Sequence, residues 1–367
     1  ATHGGVTDEN AHPHLDCSRK IALIHNGIVE NYRELAATLK KHGHTFRSDT
    51  DTEVVAHLVE EEKLRGKDPV RATFAAFSAL NGSNAIAVLD AESGLIISCR
   101  NGSPLVLGVG KREYFVASDV PPFLEFTNRV RFLVDGEAVV LSNKGAELYD
   151  YQSGKKKPLR LQTLDWKAED ADKGSFPHFL LKEIFEERET IPRVASLNQE
   201  AIATLGKRIA GGARVVMTAC GSASICTIAA RYFFASAGVE ATSIGAYEFL
   251  PFAQFCNKRT LLFAVSQSGE TADTLIAARA AKARGAHVVA VINARGSTLE
   301  RLADTVLAVA SGPEIAVVST KAFTAQLATL VLVAESAAGR YTQARREVKA
   351  LGPALRKFIN KKLEAQL

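Results

Sequence analysis

The residues best suited to chemistry in this sequence are three hydroxyl side chains in one loop. Ser266, Ser268 and Thr271 surround Gly269 where a predicted strand turns into a predicted helix. A helix N-terminus offers unpaired backbone N–H groups and the positive end of a dipole, which together suit a phosphate. Because neither GxxxxGK[ST] nor GxGxxG is present, a phosphorylated sugar fits better than a nucleotide. The alternative is that Ser268 and Thr271 merely cap the helix.

Two further loops are rich in serine, threonine and glycine and also follow predicted strands. They are CGSAS (220–224) and SGPEIAVVSTK (311–321). In an open parallel sheet, ligands bind beyond the carboxyl ends of the strands, so these loops and 266–271 are expected to meet in one pocket. Lys321 is a candidate pocket cation, although a lysine on the helix surface is the simpler interpretation. Cys220 is expected to be a buried residue at a strand end and not a nucleophile.

The second half of the chain alternates strands with helices. Strands are predicted at 215–219, 241–244, 260–265, 287–292 and 305–309, with helices such as 224–237 and 271–284 between most of them. This order predicts a doubly wound α/β unit, in which helices cover both faces of a parallel sheet. A long apolar helix at 320–339 follows, and then a basic amphipathic segment at 343–367.

The first half has a different order. Amphipathic helices at 31–41, 52–63 and 70–80 precede a run of short strands between 85 and 149, which predicts an α+β layered domain. Charged, turn-rich residues at 154–158 and 167–174 then predict a linker.

Composition excludes several classes of protein. The 367 residues carry a net charge of +5 that is scattered along the chain, which argues against a nucleic-acid or anionic-membrane binder. The most apolar stretch, 322–334, is interrupted by Thr324 and Gln326 and is too short to span a bilayer. Five cysteines without CxxC spacing make a disulfide framework or a metal site unexpected. No secretory leader opens the sequence, so a cytoplasmic location is predicted.

Taken together, these segments resemble the glutamine–fructose-6-phosphate aminotransferases, or glucosamine-6-phosphate synthases. In the second half, SQSGETADT (266–274), GPEI (312–315) and STKAFT (319–324) resemble the family's sugar isomerase (SIS) domain. The first half is similar to its N-terminal-nucleophile (Ntn) glutaminase domain, in the segments ATHG (1–4), NAHPH (10–14), HNGIVENY (25–32) and SDTDTE (48–53). KGSFPH (173–178) and KEIF (182–185) match the stretch between the two domains.

The resemblance implies a domain order. An α+β Ntn glutaminase-type domain is expected at 1–153, a linker and lead-in helix at 154–200, and an α/β doubly wound SIS domain at 201–340. Residues 341–367 would then begin a linker to a second SIS domain.

The resemblance also implies site residues. Asn26 and Gly27 would form the glutaminase oxyanion hole, and Thr2, His3 and Asp51 would bind glutamine. For Asn26 and Gly27 the alternative is an ordinary type I′ hairpin turn. The sugar-phosphate pocket would be lined by Gly221, Ser222, Ser266, Gln267, Ser268, Thr271, Val317 and Ser319.

Two neighbours of this pocket look unfavourable for a sugar phosphate. Ala223 stands where the family is expected to carry a hydroxyl. Glu270 lies beside the expected phosphate, so its carboxylate is expected to point away. His12 and His14 are expected to be structural.

The activity that the resemblance implies is a glutamine-dependent transfer of ammonia to fructose 6-phosphate. The products would be glucosamine 6-phosphate and glutamate, in amino-sugar (hexosamine) biosynthesis, with no metal or organic cofactor. The whole enzyme would be a homodimer through its SIS domains, without nucleic-acid or membrane partners.

The family's glutaminase uses an N-terminal cysteine, and its isomerase uses a second SIS domain. The sequence starts at Ala1 and stops at Leu367 without either, so the chain is predicted to be an incomplete and inactive portion. Two alternatives stay open: a non-enzymatic remnant or sensor that binds sugar phosphates, and a different Ntn amidotransferase, such as one acting on phosphoribosyl pyrophosphate.

Overall fold

The computed structural model describes residues 4–164, 166 and 172–360, and the chain divides into two compact units, residues 1–165 and 166–367. The division falls inside the stretch 154–200, for which the sequence predicts a linker and a lead-in helix. Thr2 and His3, two of the residues expected to bind glutamine, lie outside the described residues.

The first unit contains eleven described strands and three α-helices. The strands are β1 (His14–Leu15), β2 (Ile21–Gly27), β3 (Asn84–Asp90), β4 (Leu95–Asn101), β5 (Val106–Val109), β6 (Tyr114–Ala117), β7 (Arg129–Phe132), β8 (Glu137–Ser142), β9 (Gly145–Asp150), β10 (Lys155–Lys157) and β11 (Gln162–Thr163). The helices are α1 (Tyr32–Lys41), α2 (Glu53–Leu64) and α3 (Pro69–Ser78), with a short 3-10 helix at Pro121–Phe123.

The strands of this unit form two antiparallel sheets. Seven strands pair in the order β1-β2-β3-β4-β8-β9-β10, and four in the order β11-β7-β5-β6. Alternate residues of β2 are buried, so that Ile21 and Leu23 pack with Val55 and Phe77 of the helices in one core. A second core of strand residues, including Leu107, lies on the opposite side of the larger sheet. The predicted α+β layered unit is confirmed.

The second unit contains one sheet and seven described α-helices. Its strands are β12 (Arg214–Ala219), β13 (Ala241–Gly245), β14 (Thr260–Ser266), β15 (His287–Ile292) and β16 (Thr305–Ala308). Its helices are α4 (Phe179–Val194), α5 (Gln199–Ala210), α6 (Gly221–Ser236), α7 (Ala272–Ala283), α8 (Thr298–Leu302), α9 (Lys321–Ala337) and α10 (Tyr341–Phe358), with 3-10 helices at Ala246–Glu248 and Leu250–Phe255.

All five strands are parallel, in the order β13-β12-β14-β15-β16. Helices α5, α6 and α9 contribute to the core on one face of the sheet, and α7 and α8 to the core on the other. The predicted doubly wound α/β unit is therefore confirmed.

The amphipathic segment predicted at 343–367 forms α10 as far as Phe358 and packs against α4 and α9. Residues 361–367 of that segment lie outside the described residues. Within the described part of the chain, no helix is both long and apolar enough to cross a membrane.

The central strand gives a direct test of this architecture. Phe263 in β14 is fully buried, whereas Phe358 at the end of α10 is 68% exposed. We expect Phe263→Ala to lower the free energy of unfolding by about 3–5 kcal/mol, because it leaves a cavity in the sheet core. Phe358→Ala, the matched control, should change it far less. Equal losses in urea denaturation would contradict the placement of β14.

Candidate functional site

The three serine- and threonine-rich loops meet at the carboxyl edge of the parallel sheet. They follow β12, β14 and β16 and enclose a cavity of about 160 Å³. Its lining residues are Cys220, Ser222, Ala223, Val265, Ser266, Gln267, Ser268, Thr271, Val317, Ser319 and Gln326. Every residue predicted for the sugar-phosphate pocket is in this set except Gly221, which lies between two of its members.

The loop after β14 contributes hydroxyl groups to the wall of the cavity. The hydroxyls of Ser266 and Thr271 are 2.9 Å apart, and the Ser266 hydroxyl also accepts the Gly269 N–H at 3.0 Å. Ser268 accepts the N–H of Glu270, which precedes α7. Among the described residues, the Thr271 side chain makes no capping bond to α7. The simple capping interpretation is therefore wrong, and Thr271, the residue before α7, lines the cavity.

Gly269 makes the tightness of this loop possible. Its φ of +68° lies in the left-handed region, and a Cβ there would stand 2.2 Å from the Ser297 hydroxyl. A side chain at this position would push the loop away from α8. The neighbouring carboxylate of Glu270 accepts the Thr298 N–H at 2.7 Å and the Thr298 hydroxyl at 2.9 Å. It faces the start of α8 and not the cavity, as predicted.

The loop after β16 is held by carboxylates. Glu183 of α4 accepts the N–H groups of Ile315 and Ala316 at 2.6 and 3.0 Å. Glu314 accepts the N–H of Thr320 at 2.8 Å and the Ser319 hydroxyl at 2.8 Å. Since Val317 and Ser319 lie between these anchors, the two carboxylates determine where this side of the cavity stands.

Lys321 differs from the sequence-based expectation. It is only 2% exposed, and its ammonium lies 2.5 Å from a carboxylate oxygen of Glu186. The interpretation as a helix-surface lysine is wrong, because the side chain is a buried partner of an α4 carboxylate. It does not line the cavity either.

Gln326 is a cavity residue that sequence reasoning missed. It lies on α9, is 1% exposed and lines the cavity. Its amide nitrogen has no hydrogen-bond partner among the described residues. A buried unpaired donor is costly, and here it faces a polar cavity. The available signal was its position as a polar residue inside the apolar stretch 322–334.

Cys220 lies at the N-terminus of α6 and lines the same cavity. The hydroxyl of Thr274 lies 3.8 Å from its sulfur. Burial raises the pKa of the Cys220 thiol, which keeps it protonated and unreactive near neutral pH. The residue is partly exposed rather than buried, but the expectation that it is not a nucleophile agrees with this environment.

In the first unit, Asn26 and Gly27 end strand β2. They pair with Ala85 and Asn84 of β3, so the hairpin-turn alternative is wrong. Gly27 has a φ of +142°, and a Cβ there would stand 2.1 Å from the carbonyl oxygen of Ser83. Asn26 is exposed at this strand end and lines a cavity of about 190 Å³.

Asp51 lies beside this strand but is not among the residues that line the Asn26 cavity. It is 1% exposed, and its carboxylate accepts the Val29 N–H at 2.7 Å. The next residue, Thr52, contacts a ring nitrogen of His25 at 2.9 Å, and the other nitrogen of that ring lies 2.9 Å from the Asn84 side chain.

The two histidines near the N-terminus have different surroundings. His14 is buried, and its ring contacts the Thr50 hydroxyl at 3.1 Å, which fits a structural role. His12 lines the same cavity as Asn26.

Comparison with known proteins identifies the two units. Residues 5–125 match the family model of a glutamine amidotransferase domain, and residues 209–336 match that of a SIS domain. The whole chain is 41% identical to a glutamine–fructose-6-phosphate aminotransferase (isomerizing) from Thermococcus kodakarensis. The chain is thus similar over its whole length to the glutamine–fructose-6-phosphate aminotransferases, and it carries a glutamine amidotransferase domain followed by a SIS domain. Its units are an α+β glutaminase-type domain and an α/β SIS domain, in that order.

Other glutamine–fructose-6-phosphate aminotransferases match to a similar degree. The aminotransferase of Thermus thermophilus is 44% identical over 91% of the chain, and that of Methanothermobacter thermautotrophicus is 43% identical over 91%. The chain spans 60% of the length of the Thermococcus protein and 56% of the other two.

Among solved structures, the C-terminal domain of glucosamine-fructose-6-phosphate aminotransferase from Francisella tularensis aligns over 51% of this chain and 55% of that one. The identity is 26% and the TM-score is 0.41, which is too low to say anything about ligands.

The α4 carboxylates near the SIS cavity make stability depend on pH. Burial, together with the nearby Glu314 carboxylate, raises the pKa of Glu187 to about 7. A carboxyl group whose pKa is raised in the folded state makes its full contribution to stability at pH values below its unfolded-state pKa. This contribution is lost as the pH rises through the folded-state pKa.

We therefore expect Glu187→Gln to become more stable relative to the unsubstituted chain as pH rises from about 4.5 to about 8. Urea denaturation at several pH values measures this difference. The control is Glu189→Gln, the same substitution at an exposed position of α4. A difference that is constant across the range, or that runs the other way, would contradict the half-buried position of Glu187 near the Glu314 carboxylate.

Proposed function

We propose that the protein to which this chain belongs transfers ammonia from glutamine to fructose 6-phosphate, giving glucosamine 6-phosphate and glutamate. The observation that carries the proposal is the hydroxyl-lined cavity at the N-terminus of α7, on a chain that also bears a glutaminase-type unit. The relatives' names support the same reaction. No metal or organic cofactor is required for it.

In the proposed SIS site the phosphate lies at the loop after β14. Ser266, Ser268 and Thr271 supply hydroxyls, and the first turn of α7 supplies N–H groups and the positive end of its dipole. Among the described residues that line this cavity there is no lysine or arginine. The phosphate charge would therefore be balanced by hydrogen bonds and the helix dipole, an arrangement that also allows the product to leave.

The remaining lining residues would hold the sugar. Gly221, Ser222, Gln267, Val317 and Ser319 are proposed to contact its carbon chain and hydroxyls. Gln326 adds an amide donor that has no hydrogen-bond partner in the described part of the chain, and a sugar oxygen would supply one. Ala223 lines the same wall and supplies no hydrogen bond there.

In the proposed glutaminase site, the Asn26 amide and the Gly27 N–H would stabilise the negative charge that develops on the glutamine carbonyl oxygen. The extended strand end leaves the Asn26 side chain exposed at a cavity, which supports this role. Asp51 would pair with the α-amino group of glutamine, together with Thr2 and His3.

Two alternatives make different demands. A sugar-phosphate sensor without activity would need the same SIS cavity and no glutamine site. A different Ntn amidotransferase would need another acceptor pocket, whereas the relatives named above are all aminotransferases that act with fructose 6-phosphate. The glutaminase-type unit argues against a sensor, and the relatives' names argue against a different amidotransferase, so both observations favour the synthase. We place this synthase in the cytoplasm.

The SIS unit also has an apolar surface that supports the homodimer expected for the whole enzyme. Ile228 of α6 lines a cavity of about 740 Å³ together with Tyr247, Phe252 and Phe255. Tyr247 and Phe255 are 69% and 55% exposed. Clustered exposed apolar side chains of this kind mark interaction surfaces.

We expect light scattering on the whole protein to give a dimer, and Phe255→Glu to give a monomer, because it places a charge in the apolar contact. Leu64→Glu, at an exposed apolar position in the first unit, is the control and should leave the dimer intact. A monomer before any substitution would refute the dimer.

Isothermal titration of the chain with fructose 6-phosphate tests the sugar site. We expect binding that glucosamine 6-phosphate competes away. Ser266→Ala or Thr271→Ala should weaken it about 10-fold or more, because a hydrogen bond to a charged group is lost. Ser236→Ala, which removes a hydroxyl on the exposed side of α6, is the control. No heat with either ligand, or equal weakening by all three substitutions, would remove the pocket assignment.

A further inference from the structure

Four side chains with metal-binding atoms converge in the first unit, and none of them is among the residues that line the Asn26 cavity. Cys17, His44, His57 and Glu60 each offer one ligand atom, and these four atoms all lie within 4.8 Å of one another. They come from separate pieces of the chain: the turn between β1 and β2, the loop after α1, and α2. His57 and Glu60 are three residues apart in α2 and therefore share a helix face.

The distances fit a tetrahedral ion. The sulfur of Cys17 is 3.5 Å from Nδ1 of His57 and 3.7 Å from Nδ1 of His44. An oxygen of Glu60 is 2.9 Å from Nδ1 of His44 and 3.2 Å from Nδ1 of His57. Zinc bonds of usual length at tetrahedral angles separate sulfur and nitrogen by about 3.5 Å, and nitrogen and oxygen by about 3.3 Å.

The outer nitrogens of both imidazoles face further carboxylates. Nε2 of His57 is 3.5 Å from an oxygen of Glu53, and Nε2 of His44 is 3.1 Å from an oxygen of Glu61. A carboxylate behind a histidine orients the ring of a metal ligand and keeps the outer proton in place. The lone pairs of both Nδ1 atoms then point to the same centre as the thiol and the Glu60 carboxylate. Four electron-pair donors that face one another are an arrangement that suits a cation at their centre.

The centre is shielded but reachable. The side chains of His44 and His57 are 4% and 1% exposed, and that of Glu60 is 13% exposed. Cys17 is the exposed member. An ion could therefore enter from the side of Cys17 and lose its water to the other three ligands.

We propose that Cys17, His44, His57 and Glu60 form a structural zinc site. One thiolate, two imidazoles and one carboxylate are a donor set that suits Zn²⁺, and four protein ligands leave no open position for catalysis. The sequence-based expectation of no metal site rested on cysteine spacing. It missed this cluster because only one of the four ligands is a cysteine.

The site would stabilise the segment that leads to the proposed glutamine-binding carboxylate. Behind His57, the Glu53 carboxylate accepts the N–H groups of Arg47 and Ser48 at 2.8 and 2.7 Å. Asp51 lies between these anchored residues and α2. A zinc ion on the ligands would thus hold the loop from His44 to α2 against the turn between β1 and β2.

Metal binding to the 367-residue chain tests the proposal directly. Chain stripped with a chelator is titrated with Zn²⁺ in competition with a chromophoric chelator, and separately with Co²⁺. We expect one ion per chain, and a Co²⁺ spectrum with tetrahedral visible bands and a thiolate charge-transfer band. Cys17→Ser should lose the charge-transfer band, whereas the control Cys256→Ser, in the second unit, should keep it.

A substitution outside the ligands separates metal binding from misfolding. Glu61→Gln removes the carboxylate behind His44 and should weaken zinc binding about 10- to 100-fold. Glu62→Gln is the matched control, because Glu62 neighbours Glu61 on α2 and pairs with Arg65 as Glu61 does, while its other partner is Lys67 and not His44.

Added Zn²⁺ should also raise the thermal unfolding temperature of the chain but not that of Cys17→Ser. The proposal is overturned if no zinc is retained at micromolar concentration, if Cys17→Ser keeps the charge-transfer band, or if Glu61→Gln and Glu62→Gln bind zinc equally. If no zinc is retained, protons on the imidazoles hold the four side chains together instead.

Discussion

Burial of β14 at the centre of the parallel sheet is the constraint on which the cavity of the SIS unit depends. All seven residues of this strand are buried, with β12 on one side and β15 on the other. A strand covered on both faces must be apolar along its length, and its polar end can only emerge at the sheet edge. Ser266 is that end. Its hydroxyl contacts Thr271, so the exit of the buried strand sets the position of α7 and of the cavity wall.

Carboxylates that accept backbone N–H groups hold the loops around both candidate sites in place. Glu183 and Glu314 bind the backbone of the loop that carries Val317 and Ser319. Glu270 binds the start of α8, and Glu53 binds the loop before α2. Backbone N–H groups stabilise an ionised carboxylate in a buried place, and the carboxylate in turn restricts the loop. The ion pair with His57 and the hydrogen bonds from Ser48 and the backbone outweigh the effect of burial and lower the pKa of Glu53 to about 2, so this anchor stays charged.

The two units thus reach binding geometry by different means. In the SIS unit, the ends of parallel strands converge, and short loops are sufficient to build a cavity. In the glutaminase-type unit, Asn26 is presented by a strand that stays paired with β3 to its last residue, while Asp51 lies on a loop that needs separate anchoring. The cluster of Cys17, His44, His57 and Glu60 lies where that anchoring is made.

The sequence by itself determined the two fold classes and most of the SIS cavity. Strand and helix periods are local properties, and the carboxyl ends of parallel strands share an edge, so the loops after β12, β14 and β16 were expected to meet. The surroundings of Lys321, Gln326 and Cys17 were not predictable in this way. Lys321 meets Glu186 across 135 residues, and Cys17 meets His57 across 40. Such contacts depend on how segments that are distant in the chain pack against one another. The pattern of side chains along the chain does not encode this packing, so only the tertiary structure decided these contacts.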